Sequence, residues 1–276
     1  MQKQKSLKLN FIMNAVLTVS AIVFPLIIYP YISRILLPEG VGKVALAISI
    51  ISFFTIFSQL GISVYGLRLT AQLRDDKEKL TKAVQELFFI NMITTFITYT
   101  ALAVAIFYIP QLRDEKWLYV ILSSSIILNT IGMEWLFKGL EEYTYITVRS
   151  LIFKVIGLFL ILLLVRSKAD YIIYGAITIV SGYLAFILNF IYSFRWINFK
   201  PLKNYNLKQH LKPVFVFFAM ACAITVYTNL DTVMLGFMKT NADVGYYKYC
   251  DKNKECFDKF NYIFGCCFAS EMFLLH

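Results

Sequence analysis

Apolar residues along this chain come in unbroken runs rather than in alternation, and short charged clusters separate the runs. A segment needs about 20 mostly apolar residues to cross a bilayer as a helix. On that template the sequence predicts spans at 10–32, 42–63, 84–109, 117–137, 148–165 and 171–194, with a seventh from about 213 to 236. The intervening segments carry interface punctuation: Pro38-Glu39-Gly40, a charged stretch at 74–79, Pro110 with charges at 113–116, a polar stretch at 166–170, and a Lys-rich stretch before Pro213. They read as loops rather than domain linkers. The pattern predicts an all-α polytopic membrane protein, with six helices over residues 1–200 and a connecting stretch plus a seventh helix over 201–247.

Composition agrees. The chain is 59% hydrophobic and 16% charged, against about 25% charged in ordinary soluble domains, and its mean hydropathy is +0.65. A soluble fold of this length has no interior large enough for so many apolar side chains, so the lipid bilayer is their solvent. The N-terminal Lys residues resemble the start of a signal peptide. The apolar stretch after them is too long, contains Pro25 and Pro30, and lacks a small-residue cleavage site.

The net charge of +10 raises the question of nucleic acid. The Lys and Arg residues sit between apolar runs, however, and line no continuous polar face. If the N-terminus is cytoplasmic, 16 of them fall on that side and 7 on the other, and the bias recurs in every loop pair. An inner-membrane protein with a cytoplasmic N-terminus is expected. Tyr29, Tyr31, Trp117, Tyr171 and Trp196 fall near predicted span ends, where amphipathic rings favour the headgroup layer.

The last segment differs. Four of the five Cys (Cys250, Cys256, Cys266 and Cys267) follow an abrupt compositional switch after Tyr247. Their spacing fits no metal template, and no His lies among them. Residues 248–276 read as a frameshifted tail on a truncated transporter, one with no designed function. Elsewhere the chain has no P-loop, no H-E-x-x-H and no G-x-S-x-G, and only His210 and His276. Neither an enzyme nor a nucleotide-driven pump is indicated, and no cofactor or metal is implied.

Three stretches carry a resemblance: FPLIIYPYISRILLPEGVGKVALAISI at 24–50 with QLGISVYGLR at 59–68, NTIGMEWLFKGLEEYTYITVRSLIFKVIGLFLILLLV at 129–165, and NLDTVMLGFMKTNADVGYY at 229–247. Together they resemble the polysaccharide or O-antigen repeat-unit flippases of the multidrug/oligosaccharidyl-lipid/polysaccharide superfamily. The resemblance implies a MATE-like fold of two six-helix lobes around a central cavity, of which this chain supplies the first lobe and the opening of the second. It also implies an undecaprenyl-diphosphate-linked oligosaccharide as cargo. A drug exporter or a lipid-linked peptidoglycan-precursor flippase of the same superfamily is the alternative. A membrane-embedded glycosyltransferase or polymerase fits less well, because the loops are short and the acids scattered. An inactive remnant is a further reading.

Such a transporter must hold a polar headgroup inside the bilayer, and Arg and Lys facing the lumen bind a diphosphate by charge-assisted hydrogen bonds. Arg34, matching a position in the family's FPYxSR-like motif, and Arg68, Arg149 and Lys154 are the substrate-binding candidates; interfacial anchoring explains the same residues. Asn129 is a candidate for sugar hydroxyls, or for an interhelical hydrogen bond. Glu134 and Asp231 are the candidates for ion coupling. Lys138 follows Glu134 by four residues and is placed to pair with it, while Asp231 falls towards the outer interface.

Overall fold

Leu37 divides the first helix. In the computed structural model, which describes residues 7–198 and 205–251, α1 runs Leu7–Gln59 and is helical throughout except at Leu37 (φ 57°, ψ 172°). A straight helix of 53 residues would reach about 80 Å at about 1.5 Å per residue, well over twice the hydrocarbon thickness. Pro38 favours the break, because a proline disfavours the helical region for the residue before it and readily opens a new helix itself. Two predicted spans are therefore joined by one residue rather than by the expected Pro-Glu-Gly loop. Leu37 takes up the strain of a positive φ, which a side chain disfavours.

Further helices follow: α2 (Ile62–Leu73), α3 (Lys77–Tyr108), α4 (Pro110–Asp114), α5 (Lys116–Gly132), α6 (Glu134–Gly139), α7 (Tyr143–Leu164), α8 (Tyr171–Ile179), α9 (Ala185–Ser193), α10 (Lys208–Met238) and α11 (241–251). No strand occurs among the described residues. Cross-helix contacts fix the directions. Thr147 Oγ1 donates to the Met13 carbonyl and Tyr31 OH to that of Val165, so the first arm of α1 runs parallel to α7. Gln59 meets Thr130, and Lys43 meets Glu115, so the second arm runs parallel to α5. Arg149 reaches Ala185, so α7 opposes α9. His210 meets Glu86, and Gly236 lies against Leu46, so α10 returns in the direction of the first arm. The described residues make seven traverses, as the sequence predicts, between a proximal end where α1 begins and a distal end that holds Leu37. The apolar lengths make it a polytopic membrane protein.

Two irregularities lie where the sequence predicts continuous helix, and one helix starts early. Met133 takes a left-handed conformation (φ 39°, ψ 44°) and splits the fourth span into α5 and α6. A π-helical turn at Val180–Leu184 joins α8 to α9. The fifth span begins at Tyr143, five residues before its predicted start. Of the expected tail, residues 248–251 continue α11 and 252–276 lie outside the described residues.

Apolar packing follows the traverses. Leu46, Ala47, Ile50 and Ile51 of the second arm interlock with Leu118, Leu122 and Ile126 of α5. Ile32 and Leu36 of the first arm meet Ile161 and Ile177. At the proximal end Ile62, Leu87 and Leu136 close a third cluster. Gly61 (φ +76°) sits where α10 crosses, and a Cβ there would lie 2.5 Å from the Phe218 nitrogen. Only glycine serves both that φ and that approach.

Candidate functional site

Irregular backbone and charge coincide in the proximal half of the bundle. The break at Met133 places Glu134 in the first turn of α6, where the helix dipole favours a carboxylate. Glu134 Oε1 lies 2.8 Å from Lys138 Nζ, which confirms the expected i, i+4 pair. Its other oxygen lies 3.9 Å from the Arg149 guanidinium on α7. Arg149 is 5% exposed; it donates to the Ala185 carbonyl at 3.2 Å, immediately after the π turn, and lies over the Phe186 ring. Its Nε has no hydrogen-bond partner among the described residues.

Lys154 completes the group. It is eleven residues into α7, about 16 Å along the axis and so about midway through the hydrocarbon. Its ammonium donates to Ser20 Oγ on the first arm of α1 at 2.8 Å, and no carboxylate lies within ion-pairing distance among the described residues. The group therefore sets three cations, Lys138, Arg149 and Lys154, against one carboxylate. Excess positive charge inside a membrane bundle is costly, and such groups mark substrate or ion paths. The early start of α7 moves Lys154 from the expected interface to this depth.

The remaining sequence candidates lie elsewhere. Arg34 is exposed at the distal end, lining a cleft of about 370 Å³ with Tyr29, Ser33 and Tyr246. Asp231 is also distal and exposed, accepting from Tyr247 OH at 3.0 Å. Arg68 is exposed on α2 with its guanidinium over the Phe217 ring. Asn129 is half-buried on α5. The structure thus brings Glu134, Arg149 and Lys154 together and leaves the other four apart.

A second polar group, unforeseen in the sequence, lies between the second arm of α1, α3 and α5. Ser58 Oγ is 2.7 Å from Thr95 Oγ1, which is 2.8 Å from Thr130 Oγ1, and Gln59 donates to Thr130 at 3.4 Å. Each of these hydroxyls is buried and partnered. Among the described residues no three His, Cys, Asp or Glu side chains come close enough to hold a metal ion.

Comparison with known proteins places the chain. It is 26% identical over 244 residues to a protein of Escherichia coli K12 named as an O-antigen transporter, a match covering 87% of this chain and 58% of that one. It is 25% identical over 234 residues to the Shigella dysenteriae protein of the same name, covering 83% and 58%. The chain thus spans less than two thirds of the length of these curated relatives. No solved structure matches it. The family model described as polysaccharide biosynthesis protein matches residues 7–252, a few residues past the compositional switch at Tyr247. This chain belongs to the polysaccharide biosynthesis protein family.

Proposed function

We propose that this chain forms the N-terminal lobe and the opening of the second lobe of a flippase that carries a lipid-linked oligosaccharide repeat unit across the bacterial inner membrane, with its N-terminus cytoplasmic. One observation carries the reading: three cations face a single carboxylate inside the membrane-spanning bundle. A lipid diphosphate is an anion whose head cannot cross hydrocarbon unaided. Lys154, which has a hydroxyl but no counter-ion, and Arg149, with an unpartnered Nε, are the groups to receive it. Arg149 presents a planar fork suited to two phosphate oxygens, and Lys154 a movable point charge.

Glu134 gives the cluster a means of release. It holds Lys138 and approaches Arg149, so a diphosphate would compete with this carboxylate for the same cations. That competition makes Glu134 the ion-coupling residue of choice. Asp231, at the other end of the bundle, has no part in this exchange. The names of the relatives describe transport rather than catalysis. Binding of the cargo is assigned to this lobe, and its movement to two lobes acting together.

Native mass spectrometry of the chain in nanodiscs with undecaprenyl diphosphate tests the site. Retention of the diphosphate over undecaprenol, lost in the double variant Arg149→Ala/Lys154→Ala, is the expected result. Equal retention of the two lipids, or of both by the variant, overturns the assignment. Complementation of a strain lacking its own flippase tests the rest: restored surface polysaccharide from this chain alone would show that one lobe suffices.

A further inference from the structure

Two clefts meet at Tyr29, near the distal end. The first, of about 370 Å³, lies between the first arm of α1 and α11, and Tyr29, Ser33, Arg34, Tyr246 and Tyr249 are among its lining residues. The second, of about 180 Å³, adds Ser49, Tyr174 and Asn229. Tyr29 and Val41 belong to both walls. The first cleft alone reaches the size of an ordinary ligand site, about 300 Å³ or more.

The two walls of this cleft are seated closely on each other. A Cβ at Gly245 of α11 would run into the Pro38 carbonyl, and one at Gly42 into the Asn241 carbonyl. Only glycine permits backbones to approach in this way. A cleft with fixed walls is preorganised, so a ligand spends little of its binding energy on ordering the protein.

The lining combines flat apolar faces with mostly neutral polar groups. The rings of Tyr29 and Tyr249 stack with centroids 6.0 Å apart, and Tyr246 is 62% exposed. Ser33 donates its proton to the Pro30 carbonyl at 3.2 Å and keeps its lone pairs for another donor. The Tyr29 hydroxyl is buried and has no hydrogen-bond partner among the described residues, an arrangement that costs stability until a ligand group completes it. No carboxylate of the described residues lies within ion-pairing distance of Arg34, whereas Lys248 is taken up by Asp251 at 3.1 Å.

These features sort the ligands by chemistry. A phosphate would find one unpaired cation here, against the two offered by Arg149 and Lys154. An acyl chain has no use for the hydroxyls. A pyranose uses both kinds of surface: its C–H face lies on the electron-rich face of an aromatic ring, and its rim of hydroxyls gives and accepts hydrogen bonds.

We propose that the distal cleft at Tyr29 is a saccharide-binding site, in which Tyr246 and Tyr249 carry pyranose faces and Tyr29, Ser33 and Arg34 bond the hydroxyls. It receives the sugar part of the cargo, as the charged cluster receives the diphosphate. Its place in transport, on the outer side, rests on the flippase reading. The binding of sugar does not, because the test uses a saccharide that carries neither lipid nor phosphate.

The test is an equilibrium titration of the full chain in nanodiscs, followed by saturation-transfer difference NMR. The probe is the repeat-unit oligosaccharide released, free of lipid and phosphate, from the surface polysaccharide of the strain that encodes this chain. The wild-type protein should bind it saturably. Tyr246→Ala removes an exposed ring and should weaken binding about fivefold, the worth of one stacking contact. Tyr29→Phe keeps the ring, deletes the hydroxyl and should weaken binding about threefold. Arg149→Ala/Lys154→Ala should bind the free saccharide as the wild type does, and Tyr246→Ala should still retain undecaprenyl diphosphate, so failure of this site and failure of the flippase reading appear in different measurements. Absence of saturable binding to the folded wild-type chain, or unchanged affinity in either tyrosine variant, overturns the proposal. Displacement of the saccharide by inorganic pyrophosphate would make the cleft an anion site at Arg34 and overturns it as well.

Discussion

Two polar groups are buried in the same apolar bundle, and they are built on opposite principles. The Ser58–Thr95–Thr130 seam is neutral, and each of its hydroxyls has a partner at hydrogen-bond distance. The Glu134–Arg149–Lys154 group carries surplus charge, leaves the Arg149 Nε unpartnered and gives Lys154 a hydroxyl instead of a counter-ion. A satisfied network glues helices together; an unsatisfied one in hydrocarbon persists where a ligand completes it. Completeness of pairing, more than burial, separates the two roles.

The comparison is broken most directly at its charged side. Arg149→Ala with Lys154→Ala should lower affinity for undecaprenyl diphosphate tenfold or more, about 1.4 kcal/mol, with the melting temperature in detergent little changed. Unaltered affinity would place the binding site elsewhere. Glu134→Gln removes the competing charge and should tighten binding several-fold, readable in one binding titration. Weaker binding in that variant would make Glu134 a ligand rather than a competitor.

On the neutral side, Thr130→Val deletes the hydroxyl shared by Ser58 and Thr95. It should cost about 1 kcal/mol of stability and leave diphosphate affinity at the wild-type value, and a fall in affinity would merge the two groups into one site. The smallest effect is expected outside the membrane. Asp76 caps α3, and its side-chain pairing with Lys79, reinforced by the Lys79 amide, holds its carboxyl below the usual range. A lowered native pKa means stability present above the ordinary carboxylate range and lost as pH falls through the native value. Asp76→Ala should therefore melt slightly lower than wild type near neutrality, and the two curves should converge in acid.

The traverses were legible because each needs only length and apolarity, and both survive local irregularity. Two of the three breaks were not. Pro38 marked the break beside Leu37, but Met133 and the π turn at 180–184 depart from helical geometry over one to a few residues, and no periodicity registers so short an event. The misplaced start of α7 had the largest effect, since five residues of helix turned Lys154 from an interfacial anchor into a mid-bilayer cation. The Glu134–Lys138 pair could be read because it is local, whereas its approach to Arg149 depends on the break at Met133. Glu86 and His210 were invisible as a pair because their contact joins segments more than a hundred residues apart. Arg34, Arg68 and Asp231 show the converse: charged residues at span ends stayed at the ends.

The single-residue reversal at Leu37 also shapes what the distal surface presents. A helical hairpin turning through one residue leaves almost no extended chain between its arms. Proteases cleave extended segments, and they would find none between the two arms of α1.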